Sequence, residues 1–209
     1  NHNKSILYFT NAIKTYRSIN EEIEITRALN NLSNVYSEQG RFLEAIECLQ
    51  QCLETNERLN KKNESAINYV NIGLLYSDLK QTQKAISYIE KAIVFYKKNN
   101  KNHELSLCYL NIGNIHEQDK KFTIAEEYYN KGIYTAKGIN NNTILYYCHS
   151  NIAHLNYQLK KYDISLENYK KSLKIVDALK NNRKSCILTY ALDGISNLII
   201  LPAVALSDD

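Results

Sequence analysis

Four asparagines recur along the chain at an interval of forty residues: Asn31, Asn71, Asn111 and Asn151. An asparagine side chain offers one hydrogen-bond acceptor and two donors, so it can pair with both the N–H and the C=O of an extended peptide backbone without reading that peptide's side chains. The same amide can instead bond to a neighbouring helix and only position the fold. The sequence leaves both interpretations open, because both need the same residue at a regular spacing.

Residues that commonly carry catalysis or bind metals do not form a recognisable site in this sequence. There is no glycine-rich phosphate loop, no His-Glu-x-x-His segment and no nucleophile elbow. Cys48 and Cys52 are one helical turn apart and Cys148 adjoins His149, but a zinc site needs four converging ligands. We therefore expect no enzyme activity, no metal site and no cofactor.

The asparagines belong to a longer pattern that repeats with them. The segment from Tyr109 to Gly113 reads Tyr-Leu-Asn-Ile-Gly, and related segments begin at Leu29, Tyr69 and His149. Self-similarity with a period of this length indicates a stacked array of structural repeats. Glycine and proline are scarce, with six and one in 209 residues, which favours an array built from helices.

Apolar periodicity divides each repeat into a first and a second helix. The predicted first helices span residues 23–39, 65–79, 104–119 and 143–159, and the predicted second helices span 43–59, 82–98, 123–137 and 163–179. A helix over 5–20 is predicted as the second helix of a truncated repeat, and 183–200 as a terminal first helix before an extended tail over 201–209. We expect one array over residues 1–200, with full repeats at 23–60, 63–99, 102–139 and 142–180 that end in asparagine-rich turns.

Small side chains recur where two helices of a repeat must cross closely. Late in the first helices they are Ser33, Gly73, Gly113 and Ala153. In the second helices they are Ala45, Ala85, Ala125 and Ser165, and then Cys52, Ala92, Gly132 and Ser172. An aromatic residue is expected to fill the space beside each crossing. It is Tyr36 and Tyr76 in the first two repeats, and it is lost in the last two, which have His116 and Asn156.

This pattern over residues 23–179 resembles the tetratricopeptide repeat (TPR) family. The resemblance implies an all-α fold, a right-handed superhelical solenoid of antiparallel helix pairs with about ten helices. The chain departs from the family in its forty-residue period, where thirty-four is usual, and in lacking the helix-ending proline. HEAT and armadillo arrays also have periods near forty, but the spacing of the small residues favours the TPR fold. The long-period subtype is similar to arrays in kinesin light chains and in bacterial sensory and regulatory proteins.

First helices line the concave groove in this family, so the resemblance implies that a partner binds there. The groove residues predicted by helical spacing are Asn31, Asn34, Ile67, Asn71, Leu74, Leu107, Asn111, Asn114, Tyr147, Asn151 and His154. The same stripe is expected to contain Val70, Ser77, Leu110 and Glu117, with Arg27 opposed by Glu38, Asp78 and Glu117. His116, Cys108 and Cys148 are predicted as packing residues.

The predicted groove lacks the cations of chaperone-binding TPR clamps. The resemblance places Lys or Arg in those clamps at positions that are Leu107 and Asn111 here. We therefore expect the partner to be a protein or peptide that is uncharged or mildly basic and has apolar anchors.

Composition limits the other classes of partner and the compartment. The formal net charge of +4 is spread along the chain, and the longest apolar run, at 198–206, is too short to span a bilayer, so neither nucleic acid nor a membrane is expected as a partner. Five cysteines without a Cys-x-x-Cys pair fit a reducing compartment, so we expect a cytoplasmic protein. The chain begins at Asn1 and contains no methionine, so we expect the native start to be missing, which leaves targeting open.

These patterns predict a non-catalytic protein–protein interaction module that acts as an adaptor or scaffold. The alternative is a ligand-sensing regulatory array within a larger signalling protein, such as a transcription regulator or a histidine kinase. Self-association through the terminal helices or the 201–209 tail is also left open.

Overall fold

The computed structural model describes residues 2–181, with side chains described to residue 179, and these residues fold into helices joined by short turns. The predicted all-α fold is confirmed for this part of the chain. The predicted terminal helix at 183–200 and the tail at 201–209 lie outside the described residues. Contacts between Cα atoms divide the chain into two compact units, Asn1–Asn99 and Asn100–Asp209.

The first unit contains five described helices, and each packs against the next along the chain. They are α1 (His2–Ser18), α2 (Glu22–Glu38), α3 (Phe42–Arg58), α4 (Lys62–Asp78) and α5 (Thr82–Lys98). Here α2 and α4 are the first helices of repeats, and α1, α3 and α5 are second helices.

The second unit contains four described helices. They are α6 (Asn102–Gln118), α7 (Phe122–Gly138), α8 (Asn142–Gln158) and α9 (Tyr162–Asn181). Consecutive helices pack together, and the two first helices, α6 and α8, also contact each other directly. The predicted boundaries agree with the observed ones to within a few residues in both units, which is the usual uncertainty at helix ends.

Every turn contains one residue in the left-handed conformation, and these residues recur at intervals of twenty. Their φ angles lie between 53° and 72°, at Asn20, Gly40, Asn60, Lys80, Asn100, Lys120, Asn140 and Lys160. Asparagine and glycine tolerate this conformation, which confirms the asparagine-rich turns after the first three full repeats as helix stops. The turn predicted to end the fourth repeat at residue 180 is wrong, because α9 is helical through Asn181. Three lysines take the same role inside repeats, a use that their intrinsic preferences do not predict.

The long period has a simple structural cause. Helices α1 to α8 each contain 17 residues, and a three-residue connection completes each interval of twenty. Two such intervals make the forty-residue repeat. The array therefore differs from a thirty-four-residue period through longer helices and not through inserted loops.

Close crossings explain the small residues of the repeat. A Cβ added at Gly73 would lie 2.7 Å from Ile89 Cγ1 and 2.8 Å from the carbonyl oxygen of Ala85. One added at Gly132 would lie 3.0 Å from Cys148 Sγ. These separations are shorter than ordinary contacts between non-bonded atoms, so the sequence-based explanation of these glycines is confirmed.

Candidate functional site

The eleven predicted groove residues all lie on first helices, and none of them is buried. Neighbouring packing residues such as Ile72, Ile112 and Ile152 are almost fully buried. The α2–α4 face of the first unit carries Asn31, Asn34, Ile67, Asn71 and Leu74. The α6–α8 face of the second unit carries Leu107, Asn111, Asn114, Tyr147, Asn151 and His154. Each face therefore combines side-chain amides with partly exposed apolar groups.

The four repeated asparagines differ in their hydrogen bonding. Asn151 donates from Nδ2 to Oδ1 of Asn114 across the α6–α8 face, at 2.8 Å. Within the described residues, the side-chain amides of Asn31, Asn71 and Asn111 have no hydrogen-bond partner. Asn151 therefore helps to position two helices, whereas the other three have amide groups available for another molecule.

A second set of asparagines, missed by the sequence analysis, joins three helices of the first unit. Asn56 donates to Oδ1 of Asn68 at 2.8 Å, and Asn68 donates to Oδ1 of Asn30 at 3.3 Å. Asn68 is 2% exposed. Because a buried amide without partners is destabilising, this relay links α3, α4 and α2 in one arrangement. The signal available in the sequence was an asparagine where other repeats have a small apolar residue, as at Ala28.

A polar network lies beneath the α6–α8 face. The hydroxyl of the fully buried Tyr129, on α7, donates to Oε2 of Glu117 at 2.5 Å. The same hydroxyl oxygen lies 2.9 Å from Oδ1 of Asn114. On the other side of the carboxylate, Oε1 of Glu117 lies 3.1 Å from Nδ1 of His154, whose side chain is 44% exposed. The network thus connects a buried carboxylate to an imidazole at the surface.

Burial controls the electrostatics of the tyrosine in this network. It raises the pKa of Tyr129 well above the ordinary value for a phenol, and the adjacent Glu117 carboxylate raises it further. The hydroxyl therefore stays protonated and acts as a hydrogen-bond donor. It holds one carboxylate oxygen in place, which leaves the other directed to His154.

Several residues expected in the groove are placed elsewhere. Leu110 is buried in the core of the second unit with Tyr129 and Ile152, and Glu117 and Ser77 are buried as well. Both α7 and α8 pack against α6, so they cover more of its circumference than a single packing stripe predicts. The expected opposition of Arg27 by groove acids is also wrong, because Arg27 pairs with Glu24 one turn away, at 2.6 Å.

The predicted packing roles of His116 and the cysteines are confirmed. His116 is buried and stacks on Tyr128 with ring centroids 5.6 Å apart, in the place where Tyr76 stacks on Tyr88 one repeat earlier. The four described cysteines are buried free thiols, and burial raises their pKa values to about 11 or 12: Cys48, Cys52, Cys108 and Cys148. Such thiols are poor nucleophiles because little thiolate is present near neutral pH.

The described residues form neither a metal site nor a membrane-spanning helix. No group of three His, Cys, Asp or Glu residues in this part of the chain is arranged to hold a metal ion. No described helix combines the length and the apolar character that a bilayer crossing requires. An open cavity of about 240 Å³ lies between α1, α2 and α3, but its two arginines already have partners: Arg17 donates to Gln51 and Arg58 to Glu22.

Comparison with solved structures supports the fold. BtubC (BKLC) from P. vanneervenii has 18% sequence identity and a TM-score of 0.73, covering 85% of this chain and 74% of that chain. Aspartyl phosphate phosphatase F from Bacillus subtilis has 18% identity and a TM-score of 0.79, covering 90% and 48%. A Rap protein complexed with competence and sporulation factor has 16% identity and a TM-score of 0.63, covering 88% and 61%. The chain thus spans about half the length of phosphatase F.

No curated protein sequence matches the chain. The sequence profile described as tetratricopeptide repeat matches residues 24–98 and 64–137, which together make up more than half of the 209 residues. The profile, the repeated close crossings and the similar solved structures agree, and the chain belongs to the tetratricopeptide repeat family.

Proposed function

We propose that the protein is a non-catalytic interaction module that captures a segment of a partner protein on its first-helix faces. The observation that carries this proposal is the set of unused amides at Asn31, Asn71 and Asn111, which are regularly spaced and accessible. Each of these amides can pair with the backbone N–H and C=O groups of an extended segment. The module would act as an adaptor or scaffold.

The side chains around these amides define the chemistry of the partner. Partly buried Ile67 and Leu74 on the α2–α4 face, and Leu107 and Tyr147 on the α6–α8 face, offer contacts for apolar anchors. Asp78 lies partly buried at the C-terminal end of α4. An acidic segment would be repelled by this carboxylate, so we propose a partner segment that is uncharged or mildly basic.

A related fold with a bound partner supports this type of function. The Rap protein of similar fold was solved in complex with competence and sporulation factor. Nucleic acid is not the proposed partner, because the faces present amides and apolar groups instead of a basic surface. The buried free thiols in the described part favour a reducing compartment, so we propose that the protein acts in the cytoplasm.

Affinity capture with matched variants tests the proposal. Bait protein carrying Asn71→Ala with Asn111→Ala should lose the partners retained by the wild type, while its helical circular dichroism stays unchanged. Asn130→Ala is the control, because Asn130 is an exposed asparagine on a second helix, α7. Equal retention by all three baits would refute the proposal, and so would a double variant that no longer folds.

The second candidate function is a sensor array within a longer signalling protein, for which this chain is one part. The observation that favours this candidate is that the chain matches only part of two longer proteins of similar fold, 48% of phosphatase F and 61% of the Rap protein. The sequence of the complete gene distinguishes the candidates. A DNA-binding or kinase domain on the same polypeptide supports the sensor, and a protein made only of repeats supports the adaptor.

Self-association through terminal helices stays a prediction. On α9, Tyr169 and Leu173 are exposed, whereas Tyr129 and Ile133, forty positions earlier, are buried. Leu166 on α9 is exposed as well. Analytical ultracentrifugation of the full chain over a range of concentrations would detect such association.

A further inference from the structure

Glu117 is a carboxylate buried in the α6–α8 face without a lysine or arginine beside it. Its side chain is 7% exposed, and its one ion-pair partner among the described residues is His154. Buried carboxylates are normally paired with a cation, because removal from water destabilises the charge. A histidine that is partly exposed supplies this compensation only in its protonated form. The carboxylate therefore lacks a permanent positive partner in the described part of the chain.

Repeat packing does not require an acid at this position. The residues forty and eighty positions earlier are Ser77 and Ser37, and the residue forty positions later is Tyr157. The tyrosine that orients the carboxylate is also absent from the two preceding repeats, where Ile89 and Leu49 are buried at the place of Tyr129. The acid and its orienting hydroxyl occur together in the third full repeat and are not part of the common architecture.

The geometry leaves one carboxylate oxygen available for a ligand. Tyr129 occupies Oε2 of Glu117, whereas Oε1 faces His154 at the surface. The His154 ring is half-exposed and lies within hydrogen-bonding distance of Gln158, one turn along α8. The ring can turn toward solvent without opening the core, since none of the buried cluster of the second unit depends on it. That movement presents Oε1 of Glu117 on the face, whereas the neighbouring Asn114 Oδ1 already accepts from Asn151.

We propose that Glu117 forms a subsite for the guanidinium group of an arginine in the captured segment, with His154 as the side chain that it displaces. This inference rests on the proposed capture function of the α6–α8 face. A guanidinium carries several N–H donors in a fixed plane, so it can donate a charge-assisted hydrogen bond to Oε1 of the carboxylate. An arginine also supplies the permanent positive charge that the buried carboxylate lacks.

Nuclear magnetic resonance of the histidine rings tests this subsite directly. The probe is N-acetyl-L-arginine methylamide, and its neutral isostere, N-acetyl-L-citrulline methylamide, is the comparison. The His154 resonance, assigned with a His154→Gln variant, should shift saturably with the arginine compound. Binding should be roughly tenfold tighter or more than for citrulline, because citrulline lacks the positive charge that strengthens the hydrogen bond to the carboxylate.

Two variants and one control decide the outcome. Glu117→Gln should abolish the preference for arginine, and so should Glu117→Ser combined with Tyr129→Ile, which restores the buried pair of the preceding repeat, Ser77 and Ile89. Glu127→Gln, at an exposed carboxylate on α7, should leave the preference intact. Equal binding of both compounds to the wild type, or an unchanged preference in the folded Glu117 variants, would overturn the proposal.

Failure of the subsite and failure of the capture function give different results. A partner that depends on Asn111 but is indifferent to Glu117 removes the arginine subsite and leaves the capture function in place. Arginine binding at Glu117, together with partners that are indifferent to Asn71 and Asn111, refutes the capture function instead.

Discussion

The fit between Gly113 and Tyr129 makes a strong prediction about stability. A Cβ added at Gly113 would lie 2.5 Å from Cδ1 of the Tyr129 ring and closer still to Cε1. Carbon atoms normally pack at about 3.5–4.0 Å. The ring has little freedom to move away, because it is fully buried and its hydroxyl is bonded to Glu117. Gly113→Ala should therefore destabilise the protein, although alanine is the better helix former.

The size of the effect follows from two opposing terms. Replacing glycine by alanine inside a helix stabilises it by about 1 kcal/mol. Overpacking in a well-packed core costs about 1–3 kcal/mol, and a ring that is anchored at its hydroxyl places this site at the upper end. The free energy of unfolding should thus fall by about 2 kcal/mol, which is the difference between the two terms.

Urea unfolding followed by circular dichroism measures this change. Gly138→Ala is the control, because an added Cβ there meets no atom within 4 Å and should leave stability equal or higher. In a Tyr129→Leu background, Gly113→Ala should no longer be destabilising, since Leu49 takes the same place opposite Ser33 in the first full repeat. A Gly113→Ala protein as stable as the wild type, or an equal loss in both backgrounds, would contradict the reasoning.

Three further predictions concern the buried polar groups. Burial lowers the pKa of His116 and of His149, so the unfolded state binds protons first as the pH falls. The free energy of unfolding should therefore decrease as the pH drops below about 6.5. Urea midpoints measured across pH should show this decrease, and His116→Phe should make it smaller. In a Cys186→Ser background, the four buried thiols should react slowly with a thiol reagent at pH near 8 and rapidly once urea unfolds the chain; fast native reaction would contradict their burial. Asn68→Ala should cost about 1–3 kcal/mol in urea unfolding, because it leaves the buried Asn56 amide without its partner; a change near zero would mean that the relay is unimportant.

The fold was predictable because it depends on short-range sequence patterns that recur in all four full repeats. Helical periodicity, small residues at crossings and asparagines at turns each point to the same repeat. The left-handed lysines were not predictable in this way. Lys80 and its equivalents take that conformation because the connection between packed helices is only three residues long, which is a tertiary constraint.

The candidate site was predictable only in part, because the periodicity of one helix does not show how many neighbouring helices pack against it. The partly exposed positions of Asn71 and Asn111 follow from spacing alone. The burial of Leu110 and Glu117 depends on α7 and α8 both packing on α6. The network between Glu117 and Tyr129 joins residues on two different helices, and no single-helix pattern contains that information.

Site-specific photo-cross-linking at Asn111 tests the capture of a partner segment most directly. A photoreactive residue placed at Asn111 should cross-link the same partner segment that the Asn71 and Asn111 alanine variants fail to retain, and one placed at Asn130 on α7 should not. Cross-linking of that partner at Asn130 in preference to Asn111 would contradict the account, because the partner would then bind a second-helix surface.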